Sequence, residues 1–311
     1  MTSRMTMSVA EPVLIIAFNR PDHLKVLLER LREVQPQTVY LAVDGPRGPQ
    51  DEAQVRECHA LASTIDWTDS VHTQFQEGNL GCGEGVTAAI TWFFDNVERG
   101  IILEDDIIPE PSFFPFCTEL LDRYEHDGRV FAISGCNPVP SYAQSDPEAA
   151  YRFAQVTHVW GWATWKRSWQ RYQLAMDDWY RRMSLTEFWR RTGRSIPGAL
   201  FWAGNFEAVR RGDVDTWDWP MIFASMEAGQ LTATSNVNLV TNIGFGENAT
   251  HTHAGEPDLM PVGEARLPTT PIPVQLDEKA QEYTLREHWN ATYLGTLDRL
   301  RKLATLKGGR T

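Results

Sequence analysis

The first third of the chain alternates short apolar runs with amphipathic segments, and this alternation restricts the fold more than any other feature. Four apolar runs have strand length and no helical period: PVLIIAF (12–18), TVYLAV (38–43), SVHTQF (70–75) and GIIL (100–103). Three segments between them read as helices: 22–31, 51–65 and 86–97. Strands that alternate with helices predict an α/β fold with a mostly parallel sheet that is covered by helices on both faces.

Three consecutive acids, Glu104, Asp105 and Asp106, follow the fourth apolar run directly. Ligands of open parallel sheets bind outside the carboxyl ends of the strands, so this triplet lies where a site is expected. Clustered carboxylates are costly to desolvate unless a cation neutralises them, and hard oxygen ligands suit Mg²⁺ or Mn²⁺. The triplet therefore predicts a metal-assisted phosphate site, with a solvated acidic turn as the alternative.

Charge and cysteine content disfavour several classes of protein. The 311 residues carry a net charge of −12, which argues against binding to nucleic acid or to anionic membranes. The four cysteines have no CxxC spacing. No apolar signal core and no run of about 18 apolar residues is present. We therefore expect a cytoplasmic protein with no transmembrane segment and no nucleic-acid partner.

The second half of the chain is less regular. RVFAISG (129–135) reads as a strand, HVWGWATWKRSW (158–169) is dense in aromatic residues, and residues 215–229 start as a capped helix that ends at Gly229. The prolines of LPTTPIPV (267–274) predict an extended linker. The helical tail that follows has a leucine stripe, which favours core packing or a homodimer through this helix: Leu294, Leu297, Leu300 and Leu303.

Seven segments stand in a consistent order: VLIIAFNRPDHLKVLLERL, AVDG, ILEDDIIPEPSFFPF, RVFAISGCN, WGWATW, TWDWP and NIGFGENATHTH. Over roughly residues 12–254, this set resembles N-acetylglucosaminyltransferase I and related nucleotide-sugar transferases with the GT-A fold. The resemblance implies a GT-A-type, Rossmann-like sheet flanked by helices, with an irregular acceptor-binding half and a C-terminal helical tail. It implies one domain over residues 10–265, divided into a nucleotide-sugar half (10–127) and an acceptor half (128–265), before the linker and tail (266–311).

The resemblance also implies roles for individual residues. Asp106 would hold Mn²⁺ or Mg²⁺ against the donor diphosphate, with His251 or His253 completing the metal site. Asp218 would deprotonate the acceptor hydroxyl, with Asp215 as its substitute. Contacts to the nucleotide sugar would come from Ala17, Phe18, Arg20, Asp44, Glu104 and Asp105. Contacts to the sugar or acceptor would come from Trp160, Trp162 and Trp217.

Each of these roles has a structural alternative. Asp218 stands between Trp217 and Trp219, whose rings could exclude water, but an acid at a helix start is also a common N-cap. The tryptophans could stack on sugar rings or pack in the core. The histidines of ATHTH share a face only if the segment is extended, and the segment could equally be a surface loop. Two features depart from the family: NLGCGEG (79–85) has Glu84 and no basic residue, and residues 266–311 have no counterpart.

Together with the acid triplet, the resemblance implies a metal-dependent, inverting glycosyltransferase that moves a sugar from a nucleotide-diphosphate sugar to a hydroxyl of a carbohydrate or another acceptor. Uridine is favoured through the resemblance alone. One alternative is a nucleotidyltransferase acting on sugar phosphates, although AFNRPDH (17–23) lacks the glycine-rich, basic loop that such an enzyme would use. A second alternative is a non-catalytic carbohydrate-binding protein of the same fold.

Overall fold

A computed structural model describes residues 9–244, 261–267 and 269–295. Its strands have these bounds: β1 (Val13–Ala17), β2 (Val39–Val43), β3 (Val71–Phe75), β4 (Arg99–Glu104), β5 (Ile107–Pro109), β6 (Val130–Ser134), β7 (Tyr151–Ala154), β8 (Trp162–Trp165), β9 (Leu231–Ser235) and β10 (Val240–Asn242). Its helices have these bounds: α1 (Pro21–Val34), α2 (Glu52–Leu61), α3 (Gly81–Asn96), α4 (Phe113–Arg123), α5 (Lys166–Trp169), α6 (Trp179–Arg182), α7 (Leu185–Arg191), α8 (Ile196–Arg210), α9 (Asp218–Ala228) and α10 (Glu278–Tyr283).

The described strands form one eight-stranded sheet in the order β3-β2-β1-β4-β8-β6-β9-β7, and β10 pairs with β5 in a separate ribbon. β1 is parallel to β2 and β4, and β2 is parallel to β3. β8 runs antiparallel between β4 and β6, while β9 is again parallel to β6. The chain therefore has the expected α/β fold, with a large Rossmann-like central sheet flanked by helices. Strands from both predicted halves share this sheet.

Burial follows from the two-sided cover of the sheet. Every residue of β1 and β2 is buried, as expected for strands with helices on both faces, whereas the edge strand β3 is largely exposed. One core cluster packs α1 and α4 against the sheet, and a second packs α3 and part of α9 against it. A third, rich in aromatic residues, lies around α8 and α9.

Two segments differ from the sequence-based expectation. α3 begins at Gly81, inside the segment predicted as a turn, because carboxylates from elsewhere satisfy its first N–H groups, as described below. The described part of the predicted linker is packed onto the body: Ile272 and Val274 lie against the core, and Leu276 bridges to Phe153. Of the leucine stripe only Leu294 lies within the described residues, and its side chain is exposed.

Within the described residues, no helix combines the length and the apolarity needed to cross a bilayer.

Candidate functional site

A cavity of about 910 Å³ opens at the carboxyl ends of β1, β2 and β4. Its lining includes all the residues predicted to contact the nucleotide sugar: Ala17, Phe18, Arg20, Asp44, Glu104 and Asp105. Asp106, Trp160 and Asp215 also line it. The parallel strands bring these residues together, although they are far apart in sequence, because their carboxyl ends meet at one edge of the sheet.

The acid triplet is arranged around one arginine. Arg20 lies between β1 and α1, and its guanidinium donates to Asp105 and, at 2.9 Å, to Asp106 Oδ2. The backbone N–H of Asp105 donates to Ile16 O at 2.9 Å, which continues the hydrogen bonding between β4 and β1 past the end of β4. Arg20 therefore supplies one positive charge against three acids, so the site retains negative charge that a further cation could neutralise.

Burial shifts the protonation of two of these acids. Glu104 lines the base of the cleft, where burial first, and then the charges of Asp106, Asp105 and Asp218, raise its pKa to about 8. Burial also raises the pKa of Asp105 to about 7, although the neighbouring guanidinium of Arg20 opposes this rise. Asp105 Oδ2 is buried and has no hydrogen-bond partner within the described structure. Without a further cation, the triplet binds protons near neutral pH.

We expect the metal-free protein to lose stability as pH rises from about 5 to about 8, by about 4 kcal/mol. A carboxyl whose pKa is raised by folding, here from 4.5 to about 8, binds its proton more tightly in the folded state. Its stabilising contribution is therefore complete below 4.5 and is lost as pH rises through 8. Urea unfolding in chelator at several pH values measures this slope.

Glu104→Gln should flatten the slope and make the protein more stable than wild type at pH 8, because glutamine does not ionise. Part of the pH dependence of stability should remain in this variant, because burial raises the pKa of Asp105 as well. Glu98→Gln, at an exposed acid outside the cleft, is the matched control and should follow wild type. A Glu104→Gln slope equal to that of wild type would refute this account.

Asp44 is held by the loop that leads into α3. Its carboxylate accepts hydrogen bonds from the backbone N–H groups of Gly45, Leu80 and Gly81 and from Asn79 Nδ2, at 2.8 to 3.2 Å. Burial raises the pKa of Asp44, and the backbone hydrogen bonds oppose this rise. This arrangement favours a structural role for the carboxylate, and its contact with a nucleotide base stays a prediction.

Asp215 caps the same helix from the other half of the chain. Its Oδ2 accepts from Cys82 N at 3.0 Å, and its Oδ1 accepts from Gly83 N at 2.8 Å. The positive end of the α3 dipole favours these negative groups. A Cβ atom on Gly83 would lie 2.6 Å from Asp215 Oδ1, so the glycine allows the carboxylate to approach the helix. Asp215 thus ties the segment before α9 to the floor of the cavity.

Asp215→Ala should lower the free energy of unfolding by about 1 kcal/mol, which is typical for loss of a carboxylate cap. Gly83→Ala should also destabilise the protein, because its new methyl group meets the carboxylate. In the double variant the two costs should be less than additive, since the clash disappears with Asp215. Urea unfolding of wild type, the two single variants and the double variant gives the coupling energy between the two positions. Asp213→Ala, at an exposed acid of the same loop, is the control. If the losses of unfolding free energy in the two single variants add up in the double variant, position 83 does not contact Asp215.

Asp218 is the first residue of α9 and lies close enough to Glu104 for its charge to raise the pKa of Glu104. Asp218 Oδ1 accepts from the hydroxyl of Thr216 and, at 2.9 Å, from the backbone N–H of Trp219. Trp217, not Asp218, occupies the N-cap position of α9, and the Trp217 side chain makes no capping hydrogen bond. The carboxylate of Asp218 is thus oriented by local donors. Asp218 is not among the described residues that line the cavity, unlike Asp215, and its role as base stays a prediction.

The three predicted sugar-binding tryptophans occupy two different environments. Trp160 lines the cavity. Trp162 and Trp217 are only 1% and 3% exposed, and their rings stack on each other with centroids 5.8 Å apart. Since this pair belongs to the core between the sheet and α9, Trp160 is the best placed of the three to contact a sugar.

The donor atoms of the triplet suit a hard divalent cation. Asp106 would hold Mn²⁺ or Mg²⁺, which commonly complete their coordination with phosphate oxygens and water. Among the described residues, no group of three or more histidines, cysteines or acids is arranged to hold a metal ion alone. Gly244 lies beside the Asp106 carboxylate: a Cβ atom built on this glycine would be 2.0 Å from Asp106 Oδ2. His251 and His253 lie outside the described residues.

Sequence reasoning missed a polar cluster at the entrance of the cavity. Arg47 forms a bidentate pair with Asp51, through Nε at 2.7 Å and Nη2 at 2.9 Å, and its guanidinium lies 5.1 Å from the centre of the Phe18 ring. Asn19 also donates to Asp51, at 2.8 Å. Arg47 holds the pKa of Asp51 well below its usual range. The only signal in the sequence is the DGPRGPQD turn after β2, whose arginine could have been considered as a phosphate ligand.

No protein-family model matches the chain. Among solved structures, the chain is similar to HddC from Yersinia pseudotuberculosis, with 14% identity and a TM-score of 0.32 over 50% of this chain and 77% of that protein. It is also similar to the inositol-1-phosphate CTP transferase from T. maritima, with 10% identity and a TM-score of 0.36 over 73% of this chain and 85% of that protein. These values are too low to transfer the chemistry of either protein to this chain.

Proposed function

We propose that the protein is a metal-dependent, inverting glycosyltransferase that uses a nucleotide-diphosphate sugar, with uridine as the favoured base. The observation that supports this most is the excess of carboxylates at the end of β4, where three acids face one arginine in a cavity large enough for a nucleotide sugar. A divalent cation with a diphosphate would relieve this excess of negative charge.

Each residue then has a distinct task. A divalent cation, when bound, neutralises the charge that develops on the departing diphosphate. Arg20 holds the side chains of Asp105 and Asp106 in place through its two ion pairs. Trp160 offers a flat, amphipathic surface for a sugar ring. Asp218, oriented by Thr216 and the Trp219 N–H, takes the proton of the acceptor hydroxyl.

A nucleotidyltransferase acting on a sugar phosphate is the second candidate. The guanidinium groups of Arg20 and Arg47 both line the cavity, and two arginines could bind the phosphates of a nucleoside triphosphate. Against this candidate, the turn between β1 and α1 contains no glycine, and both arginines are already paired with acids. The two candidates share a nucleotide and a divalent cation, and they differ in the bond that is broken.

Product analysis separates the two functions. The protein is incubated with Mn²⁺ and either a set of nucleotide sugars or a set of nucleoside triphosphates with sugar 1-phosphates. Release of nucleoside diphosphate from a nucleotide sugar supports the glycosyltransferase, whereas release of pyrophosphate supports the nucleotidyltransferase. If neither product forms although a nucleotide sugar raises the melting temperature, the protein is a binding protein of the same fold.

A further inference from the structure

A second cavity, of about 1230 Å³, lies at the opposite edge of the sheet from the candidate active site. Leu231, where β9 begins, is part of its wall. β9 is parallel to β6, and β6 and β4 both run antiparallel to β8, so β9 has the same direction as β4 and β1. The acid triplet lies where β4 ends, whereas the second cavity lies where β9 starts. A ligand in the second cavity therefore cannot be at the reacting centre.

The wall of this cavity contains an unsatisfied amide. Gln281, in α10, is 6% exposed, and its Nε2 has no hydrogen-bond partner among the described residues. Gln155, a second buried amide in the same wall, donates to Gln230 O at 3.3 Å. A buried donor without an acceptor is destabilising, so native proteins rarely retain one without a purpose. That nitrogen has almost no accessible surface, so a ligand in the cavity would bond it only after rotation of the Gln281 side chain.

The rim of the cavity is basic, although the chain as a whole has a net charge of −12. Four arginines and three glutamates line it: Arg190, Arg191, Arg194 and Arg286, with Glu187, Glu278 and Glu282. The arginines pair with these glutamates at 2.7 to 3.7 Å, but the pairs are exposed and contribute little to stability. An anionic ligand can therefore compete for the guanidinium groups, which bind carboxylates in a bidentate manner.

Two exposed aromatic residues also line the cavity. Trp189 is 43% exposed and Tyr293 is 61% exposed. Flat rings with a polar edge, together with amides and arginines, are the groups that bind sugars through ring stacking and hydrogen bonds. The turn that carries part of the rim has a left-handed backbone, since Gly193 and Arg194 both have positive φ, at 83° and 53°. A Cβ atom on Gly193 would meet Leu285 Cδ1 at 2.3 Å, and the positive φ of Gly193 disfavours other residues, so this turn packs closely on the C-terminal segment.

We propose that this cavity is a second binding site, for an oligosaccharide that carries carboxylate groups. Its volume exceeds the range of about 300–1,000 Å³ that is usual for a single small ligand, which favours a ligand of several sugar units. The aromatic rings select sugars, and the excess of arginine selects the acidic ones. This inference does not rest on the proposed transferase function.

Calorimetry without donor and without metal tests the proposal. Hexagalacturonate is titrated into the full-length protein, with maltohexaose as the neutral comparison. We expect hexagalacturonate to bind more tightly than maltohexaose, and its affinity to fall with added salt. Arg286→Ala and Trp189→Ala should each weaken its binding by about tenfold, as expected for the loss of one charge-assisted contact or one stacking surface.

The matched control is Arg56→Ala. Arg56 is exposed and pairs with Glu52 four residues away, as Arg286 pairs with Glu282, but it lies in α2, outside the cavity. Thermal melts establish that each variant is folded. Absence of hexagalacturonate binding at millimolar concentration overturns the proposal. Equal losses for Arg286→Ala and Arg56→Ala, or equal affinity for the neutral and acidic sugars, also overturn it. Because no donor is present, these outcomes are independent of any test of transfer.

Discussion

Asp218→Asn is expected to lower turnover by about 10² to 10⁴, which is the usual contribution of a general base. An acceptor hydroxyl is a weak nucleophile near neutral pH until a positioned carboxylate removes its proton. Asparagine keeps the size of the side chain and can still accept from the Trp219 N–H, so the fold should persist. Donor binding should hardly change, because Asp106 and Arg20 are untouched. Steady-state transfer rates and calorimetry with the donor nucleotide measure the two effects.

Asp215→Asn is the informative comparison, because Asp215 lines the cavity and also caps α3. An asparagine keeps one acceptor oxygen, so we expect a small loss of stability and a milder loss of turnover. If Asp215→Asn is inactive while Asp218→Asn is normal, the base is Asp215. If both variants turn over normally, the base belongs to another segment. Thermal melts of both variants separate loss of fold from loss of chemistry.

Hydrophobic periodicity predicted the part of the fold that local pattern controls. The first four runs became β1 to β4, and Gly229 ends α9 in the left-handed conformation expected of a C-terminal glycine. Hydrophobic periodicity could not predict the order of the strands in the second half of the chain. β8 lies between β4 and β6 although β6 and β7 precede it in the chain, and short apolar runs carry no signal for such an insertion.

The candidate site was predictable where it depends on strand ends, and was not where it depends on tertiary contacts. Glu104, Asp105, Asp106 and Asp44 line the cavity because a parallel sheet places its ligands there. The contact of Asp215 with the first turn of α3 joins residues remote in sequence, so the glycines of NLGCGEG looked only like a turn. WATW is buried on both faces of the sheet, and alternation alone could not show which tryptophan reaches the cavity.

Asp106→Ala is expected to weaken Mn²⁺-dependent binding of uridine diphosphate by about 100-fold or more, since loss of even an outer-shell metal partner costs about 10- to 100-fold. The variant should fold, because Arg20 keeps its ion pair with Asp105. Calorimetry of wild type and variant, each in Mn²⁺ and in chelator, gives four affinities. In chelator the two proteins should bind equally weakly, because the metal is then absent from both.

The control for charge is Asp66→Ala, which removes an exposed acid that pairs with Arg32 outside the cavity. Both variants change the net charge equally, so a general electrostatic effect would weaken or strengthen binding in both. Weaker Mn²⁺-dependent binding in Asp106→Ala, with unchanged binding in Asp66→Ala, assigns the cation to the end of β4. Wild-type affinity that is the same in chelator and in Mn²⁺ would remove the metal from the proposal. In that case the negative charge of the triplet would have to be neutralised by protons, in agreement with the raised pKa values of Glu104 and Asp105.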